Sequence, residues 1–208
     1  MTQESEKTRI LESSRSLFFA HGFGKVTVDE IASDLRMSKK TIYKFFPTKE
    51  DLVRGVIHFI MHFVKRNVDS IVNSNRPFEA KMTDLLSLIG SLWSRVGRKL
   101  PEDMKRYYPQ IWKELETFRR EQILSSIKAI FYQAKEEGLL RNDVNIDILI
   151  LMFLSSVDGI LNPFVLSEHS FSLRQAFQQI FSILFQGSLT PEARDRFRFL
   201  EPTYMPTL

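Results

Sequence analysis

The stretch RMSKKTIYKFFPTKEDL, residues 36–52, decides how the chain is read. From Leu35 through Lys49 it holds five basic residues and no acidic one. Ser38 is a helix-capping residue, and the run after it reads as a helix to about Phe45. Ile42 and Phe46 lie four apart and can both face a core. Lys39, Lys40, Thr41, Tyr43 and Lys44 then occupy the remaining surface. Pro47 interrupts the chain, and Thr48-Lys49-Glu50-Asp51 opens another helix with acids in its first turn, as the helix dipole favours. Thr48 stands at a helix N-terminus, where backbone N–H groups bind anions.

Upstream, Ile10, Leu11, Ser14, Leu17 and Phe18 recur at helical spacing until the two glycines of HGFGK stop the run. Thr27 followed by Glu30 predicts a capping box, and Val28, Ile31, Ala32 and Leu35 give the next helix its apolar stripe. Two short helices, Thr27 to Leu35 and Ser38 to Phe45, thus lie about three residues apart, backed by an amphipathic one. That spacing is the helix-turn-helix arrangement, in which the second helix enters the DNA major groove. On this reading Thr41 and the lysines reach base edges, while Tyr43, Lys44 and Lys49 suit phosphate oxygens.

Composition sets bounds on the rest. Of 208 residues, 43% are hydrophobic and 26% charged, an ordinary soluble balance. A net charge of +4 means that a nucleic-acid surface must come from local clustering. The absence of cysteine excludes disulfides, thiolate metal sites and cysteine nucleophiles, and suits a reducing compartment. No apolar segment resembles a secretory signal at the N-terminus, so a cytoplasmic location is expected. The apolar run IDILILMFLSSVDGILNPFVL carries Asp158 and Asn162-Pro163, which favours a buried interface helix over a membrane span. Downstream helices are expected over about Phe78–Arg98, Glu102–Tyr108, Pro109–Glu137, Asn145–Pro163 and Ser172–Gln186, with a short one after Pro191. No segment alternates with period two, so the fold class is all-α. Two domains are expected: 1–50 for DNA and 51–208 for ligand binding and dimerisation.

The segment GFGKVTVDEIASDLRMSKKTIYKFFPTKEDLV resembles the DNA-binding part of TetR-family transcriptional regulators. The resemblance rests on HGF, T-V-x-x-I-A, M-S-K-x-T-I-Y-x-x-F and x-K-E-x-L, and covers about the first 55 residues. It implies that Thr27 meets phosphate at the start of the second helix. It places Lys39, Lys40 and Thr41 at the base-facing start of the recognition helix, Tyr43 against phosphate and Lys49 at the opening of the fourth helix. The DNA-contacting set is therefore Thr27, Ser38, Lys39, Lys40, Thr41, Tyr43, Lys44, Thr48 and Lys49. Lys44 and Phe45 stand where many members carry other residues, which bears on the operator sequence.

The remaining sequence divides between two kinds of apolar face. Met152, Ser155, Ser156 and Gly159 fall on helical spacings with Ile148, Leu151 and Ile160; Phe177, Ile180, Phe181 and Leu184 do so on the next helix. Such faces can fill a chain's own core or pair with a second copy, and the resemblance implies a homodimer interface. Trp93, Tyr107, Tyr108, Trp112, Phe118, Asp158 and Asn162 form an inventory suited to an effector pocket, mostly apolar with a few polar groups. His58 and His62 are four apart, but the run lacks the glutamate of H-E-x-x-H and a third ligand, so no metal site is expected. There is no Gly-rich phosphate loop, nucleophile elbow or carboxylate pair, so neither an enzyme nor a cofactor is expected. The expectation is a dimeric regulator of a double-stranded DNA operator, a repressor released by a small effector. A ligand-requiring corepressor or activator, or a helical carrier with a vestigial helix-turn-helix, are the alternatives.

Overall fold

The computed structural model describes residues 3–93, 100–160, 165 and 168–196. Its helices are α1 (Gln3–His21), α2 (Val28–Leu35), α3 (Lys39–Phe45), α4 (Lys49–Val72), α5 (Phe78–Trp93), α6 (Leu100–Tyr107) and α7 (Pro109–Phe118). A π-helical turn, Arg119–Ile123, leads into α8 (Leu124–Glu136), and α9 (Ile146–Ile160), α10 (Leu173–Ser188) and α11 (Pro191–Arg196) follow among the described residues. The fold is all-helical, as expected. Among the described residues no helix is long and apolar enough to cross a membrane.

By packing the chain forms two units, residues 1–66 with 94–119, and residues 67–93 with 120–208. The packing boundaries fall elsewhere than at residue 50, because the start of α4 and the later α6 and α7 share one core with α1–α3. That core buries Ile10, Phe18, Phe23, Ile31, Ile42, Leu52, Val56, Met104 and Ile111. Each such side chain contributes about 1.5–3 kcal/mol relative to exposure. The turn after α1 holds Gly22 at φ 90°, a left-handed conformation that glycine adopts without strain. A side chain there would also collide with Asp103 of α6, whose Oδ2 lies 2.6 Å from the position of a Cβ. On α4, a Cβ at Gly55 would come within 2.6 Å of the Phe46 ring and 3.1 Å of Leu11. The glycine is what lets α4 approach the end of α3.

The second unit packs Phe78, Phe131 and Phe185 ring against ring at 5.5–6.2 Å between centroids. Lys81, only 4% exposed, donates from Nζ to the Val72 carbonyl at 2.9 Å and to Gln133 Oε1 at 2.8 Å. It thereby satisfies a terminal carbonyl of α4, the end of a helix that favours a cation. Asn145 Oδ1 accepts from the backbone N–H groups of Asp147 and Ile148 and starts α9. Ser172 and Gln175 form a capping box on α10.

The helix predicted as one piece over Pro109–Glu137 is broken by the π turn at Arg119–Ile123. Ser125 donates its hydroxyl hydrogen to the carbonyls of Glu121 and Gln122, and Ser126 to that of Gln122, so hydroxyls serve the loosened carbonyls. The described part of the helix expected over Phe78–Arg98 ends at Trp93, and 94–99 lie outside the described residues.

Candidate nucleic-acid interface

Both short helices begin as their sequences require, but the two starts are built differently. At α2, Glu30 N–H donates to Thr27 Oγ1 at 3.2 Å, while Thr27 N–H donates to Glu30 Oε2 at 2.7 Å. The Thr27 hydroxyl donates to the same carboxylate at 3.0 Å. The backbone N–H of Thr27, followed by its hydroxyl, holds the Glu30 carboxyl below its ordinary range. At α3, the Thr41 N–H donates to Ser38 Oγ at 3.1 Å, and the two hydroxyls share a hydrogen bond of 2.9 Å. No acid stands in the first turn of α3.

Position and packing fix how α3 is presented. Arg36 closes α2 in a left-handed conformation at φ 53°, and the Met37 N–H reaches back to the Ala32 carbonyl at 2.9 Å. Arg9 donates to the Leu35 carbonyl at 3.1 Å and Ser13 to Asp34 at 2.7 Å, tying the end of α2 to α1. Ile42 and Phe46 are both buried, so α3 is pinned on one side. Lys39, Lys40, Tyr43 and Lys44 lie exposed on the rest of its surface, and Thr41 is half-buried. Among the described residues neither Lys40 nor Lys44 has an ion pair. Lys39 does: its Nζ lies 2.5 Å from Asp29 Oδ2 on α2.

The start of α4 repeats the acid-capped design. Thr48 N–H and hydroxyl donate to Asp51 Oδ2 at 3.0 and 2.7 Å, and the Asp51 N–H donates back to Thr48 Oγ1 at 3.0 Å. The helix start expected to receive an anion already holds its own carboxylate. Lys49 is half-buried, and burial draws its ammonium below the usual lysine value, opposed by the carboxylates of Glu30 and Asp103. Lys49 thus stands in the field of α2's capping acid, as well as at the head of α4.

The expected pocket residues are only partly described. Tyr107, half-exposed, covers Gly24, at which a Cβ would lie 2.9 Å from the ring. Tyr108 meets Phe23 edge-on at 6.3 Å, and Trp112 carries Lys105 over its ring at 4.9 Å. Tyr107 and Tyr108 thus pack on the α1–α2 turn. Phe118 is half-buried. Asn162 and the side chains of Trp93 and Asp158 lie outside those described.

On the second unit, Met152, Ser155 and Gly159 are exposed beside Ile148, Leu151 and Ile160, while Ser156 and Leu184 are half-buried and Ile180 is buried within the chain. The side chains of Phe177 and Phe181 lie outside those described. Exposed Ile183 adds an apolar residue that the sequence reading left out.

His58 meets an acid of α7. Its Nε2 lies 2.9 Å from Glu114 Oε2 on α7, and Arg54 pairs with the other oxygen of the same carboxylate. Burial, then Arg54 and His62, hold His58 below its ordinary value, so the contact at neutral pH is a hydrogen bond from a neutral ring.

A buried-anchor helix with a cationic outer face, capped and braced by a second helix across a three-residue turn, defines a helix-turn-helix DNA-binding protein. Residues 10–56 match the family model described as bacterial regulatory proteins, tetR family. Over those residues the chain carries that family's DNA-binding segment, and it is a DNA-binding transcriptional regulator. It is 25% identical over 188 residues to the uncharacterized HTH-type transcriptional regulator YvaF of Bacillus subtilis, covering 90% of this chain and 97% of that one. A TetR-family regulator from Marinobacter aquaeolei superposes with a TM-score of 0.73 at 24% identity, over 99% of this chain and 100% of its own. SmeT, the repressor of the Stenotrophomonas maltophilia multidrug efflux pump SmeDEF, does so at 0.69 and 17% identity, over 97% and 96%. These relatives are regulators rather than enzymes.

Proposed function

We propose that the chain is a cytoplasmic, homodimeric repressor, released from a palindromic operator by a small, largely apolar effector. It acts by binding and not by catalysis. The observation that carries this reading is the lysine face of α3, exposed and acid-free in its own helix while Ile42 and Phe46 are buried beneath it. In this reading residues 1–50 bind DNA and residues 51–208 take up the effector and the second copy. Lys39, Lys40 and Thr41 meet bases; Tyr43, Lys44 and Lys49 meet phosphates. Thr27, Ser38 and Thr48 set the helix starts that bring these groups to the backbone. One such unit spans few base pairs, so two half-sites and a two-fold dimer are required. The exposed Leu151, Met152 and Ile183 support an apolar contact between copies.

Release requires the effector to prefer a dimer conformation with mismatched recognition helices; equal affinity for both conformations shifts nothing. The test begins with operator selection from random duplex DNA, followed by titration of apolar candidates into the complex. Loss of the gel shift on addition supports release. Enhancement would reverse the sign and make the ligand a corepressor. A Leu151→Glu, Met152→Glu variant should run as a monomer in light scattering and lose the operator shift. A stable dimer would move the interface elsewhere.

A further inference from the structure

The first turn of α2 carries two acids with different employment. Glu30 is taken up by the capping box with Thr27. Asp29 plays no part in that cap, and its carboxylate lies 2.5 Å from the ammonium of Lys39, the first residue of α3. The two side chains are 66% and 48% exposed, so the pair adds little to stability: exposed ion pairs contribute about 0–1 kcal/mol. An exposed carboxylate beside a surface that meets a polyanion weakens attraction to DNA of every sequence. A lysine left alone is a mobile point charge that any nearby phosphate can capture. Held by Asp29, Lys39 Nζ loses that freedom but keeps two N–H donors, and guanine presents two acceptors, O6 and N7, in the major groove.

We propose that Asp29 is a positioning residue for sequence discrimination: it holds Lys39 toward the base edges and denies it to the phosphates. The pair, and not the lysine alone, then separates operator from random DNA. Lys40 and Lys44, without ion pairs among the described residues, supply the sequence-independent attraction. This rests on α3 being the helix that meets DNA.

The test uses the full-length protein, the selected operator and a scrambled duplex, with affinities measured across salt concentrations by fluorescence anisotropy. For Asp29→Asn the scrambled duplex should bind about 3–10-fold tighter, and its salt dependence should steepen by about one released counterion. The operator-to-scrambled ratio should fall about 10-fold. Asp29→Glu should restore most of the ratio, and in a Lys39→Gln background Asp29→Asn should leave the ratio unchanged. Thermal unfolding of Asp29→Asn should match the parent, which separates positioning from loss of fold. Equal gains on both duplexes would reduce Asp29 to a repulsive charge and overturn the proposal. So would an undiminished effect in the Lys39→Gln background. If Lys39→Gln, Lys40→Gln itself binds operator like the parent, the assignment of α3 fails, and the proposal with it.

Discussion

α2 and α3 are neighbours of nearly equal length, each opened by a hydroxyl cap, yet their first turns are opposites. In α2 the N-terminal N–H groups and positive end of the dipole are answered from within by Glu30, and α4 does the same with Asp51. In α3 the corresponding turn carries Lys39 and Lys40, so its dipole is opposed by its own side chains. A helix built for stability alone would not place lysines there. The contrast separates helix starts answered by an acid of their own first turn from one whose only acid partner among the described residues, at Lys39, comes from the neighbouring helix.

The largest effect should follow from reversing that face. Lys39→Glu, Lys40→Glu is expected to weaken operator binding on the order of 10³-fold while leaving helicity intact by circular dichroism. Retained gel shifts would erase the distinction between α2 and α3. Truncating the inward side of α3 should come next. Ile42→Ala, at a fully buried position, is expected to cost about 3 kcal/mol in chemical denaturation.

Smaller effects sharpen the comparison at the caps. Thr27→Ala should cost about 1 kcal/mol of stability and should leave the salt dependence of DNA binding nearly unchanged. The partner Glu30 supplies a pH test. Its carboxyl is held below its ordinary range, so its contribution is present above that range and is lost as pH falls through the lowered value. Urea midpoints of the parent and Glu30→Gln should therefore differ at neutral pH and converge in acid; a constant gap would remove the carboxylate from the cap. The mildest change is Lys44→Gln. It should lower affinity a few-fold on operator and scrambled duplex alike, and reduce the salt slope by about one, with unfolding unaffected.

What the sequence disclosed was local. Thr27 with Glu30, Ser38 before α3, Ser172 before α10 and the inward pair Ile42 and Phe46 depend on neighbours three or four residues away, and those spacings are written in the chain. Asp29 with Lys39, and Glu114 with Arg54 and His58, depend on how helices pack, and no periodicity announces them. A hint existed for the first pair: an acid at an outward position of α2 and a lysine opening α3. The π turn escaped for another reason. RREQI is an acceptable α-helical sequence, and only the doubled hydroxyls of Ser125 and Ser126 accompany the wider turn. The outward residues of α3 were legible because its cap and buried anchors leave few places for them; no such spacing marks a pocket.

Gly55 has a mechanical consequence. With no side chain at that point, α4 meets the Phe46 ring and Leu11 directly, backbone against packed core. Close-packed contacts pass on displacement, whereas a long side chain between them would bend and absorb part of it. A shift of α4 is therefore handed to the end of α3 with almost no backlash. The smallest residue in the chain sets the tolerance of that joint.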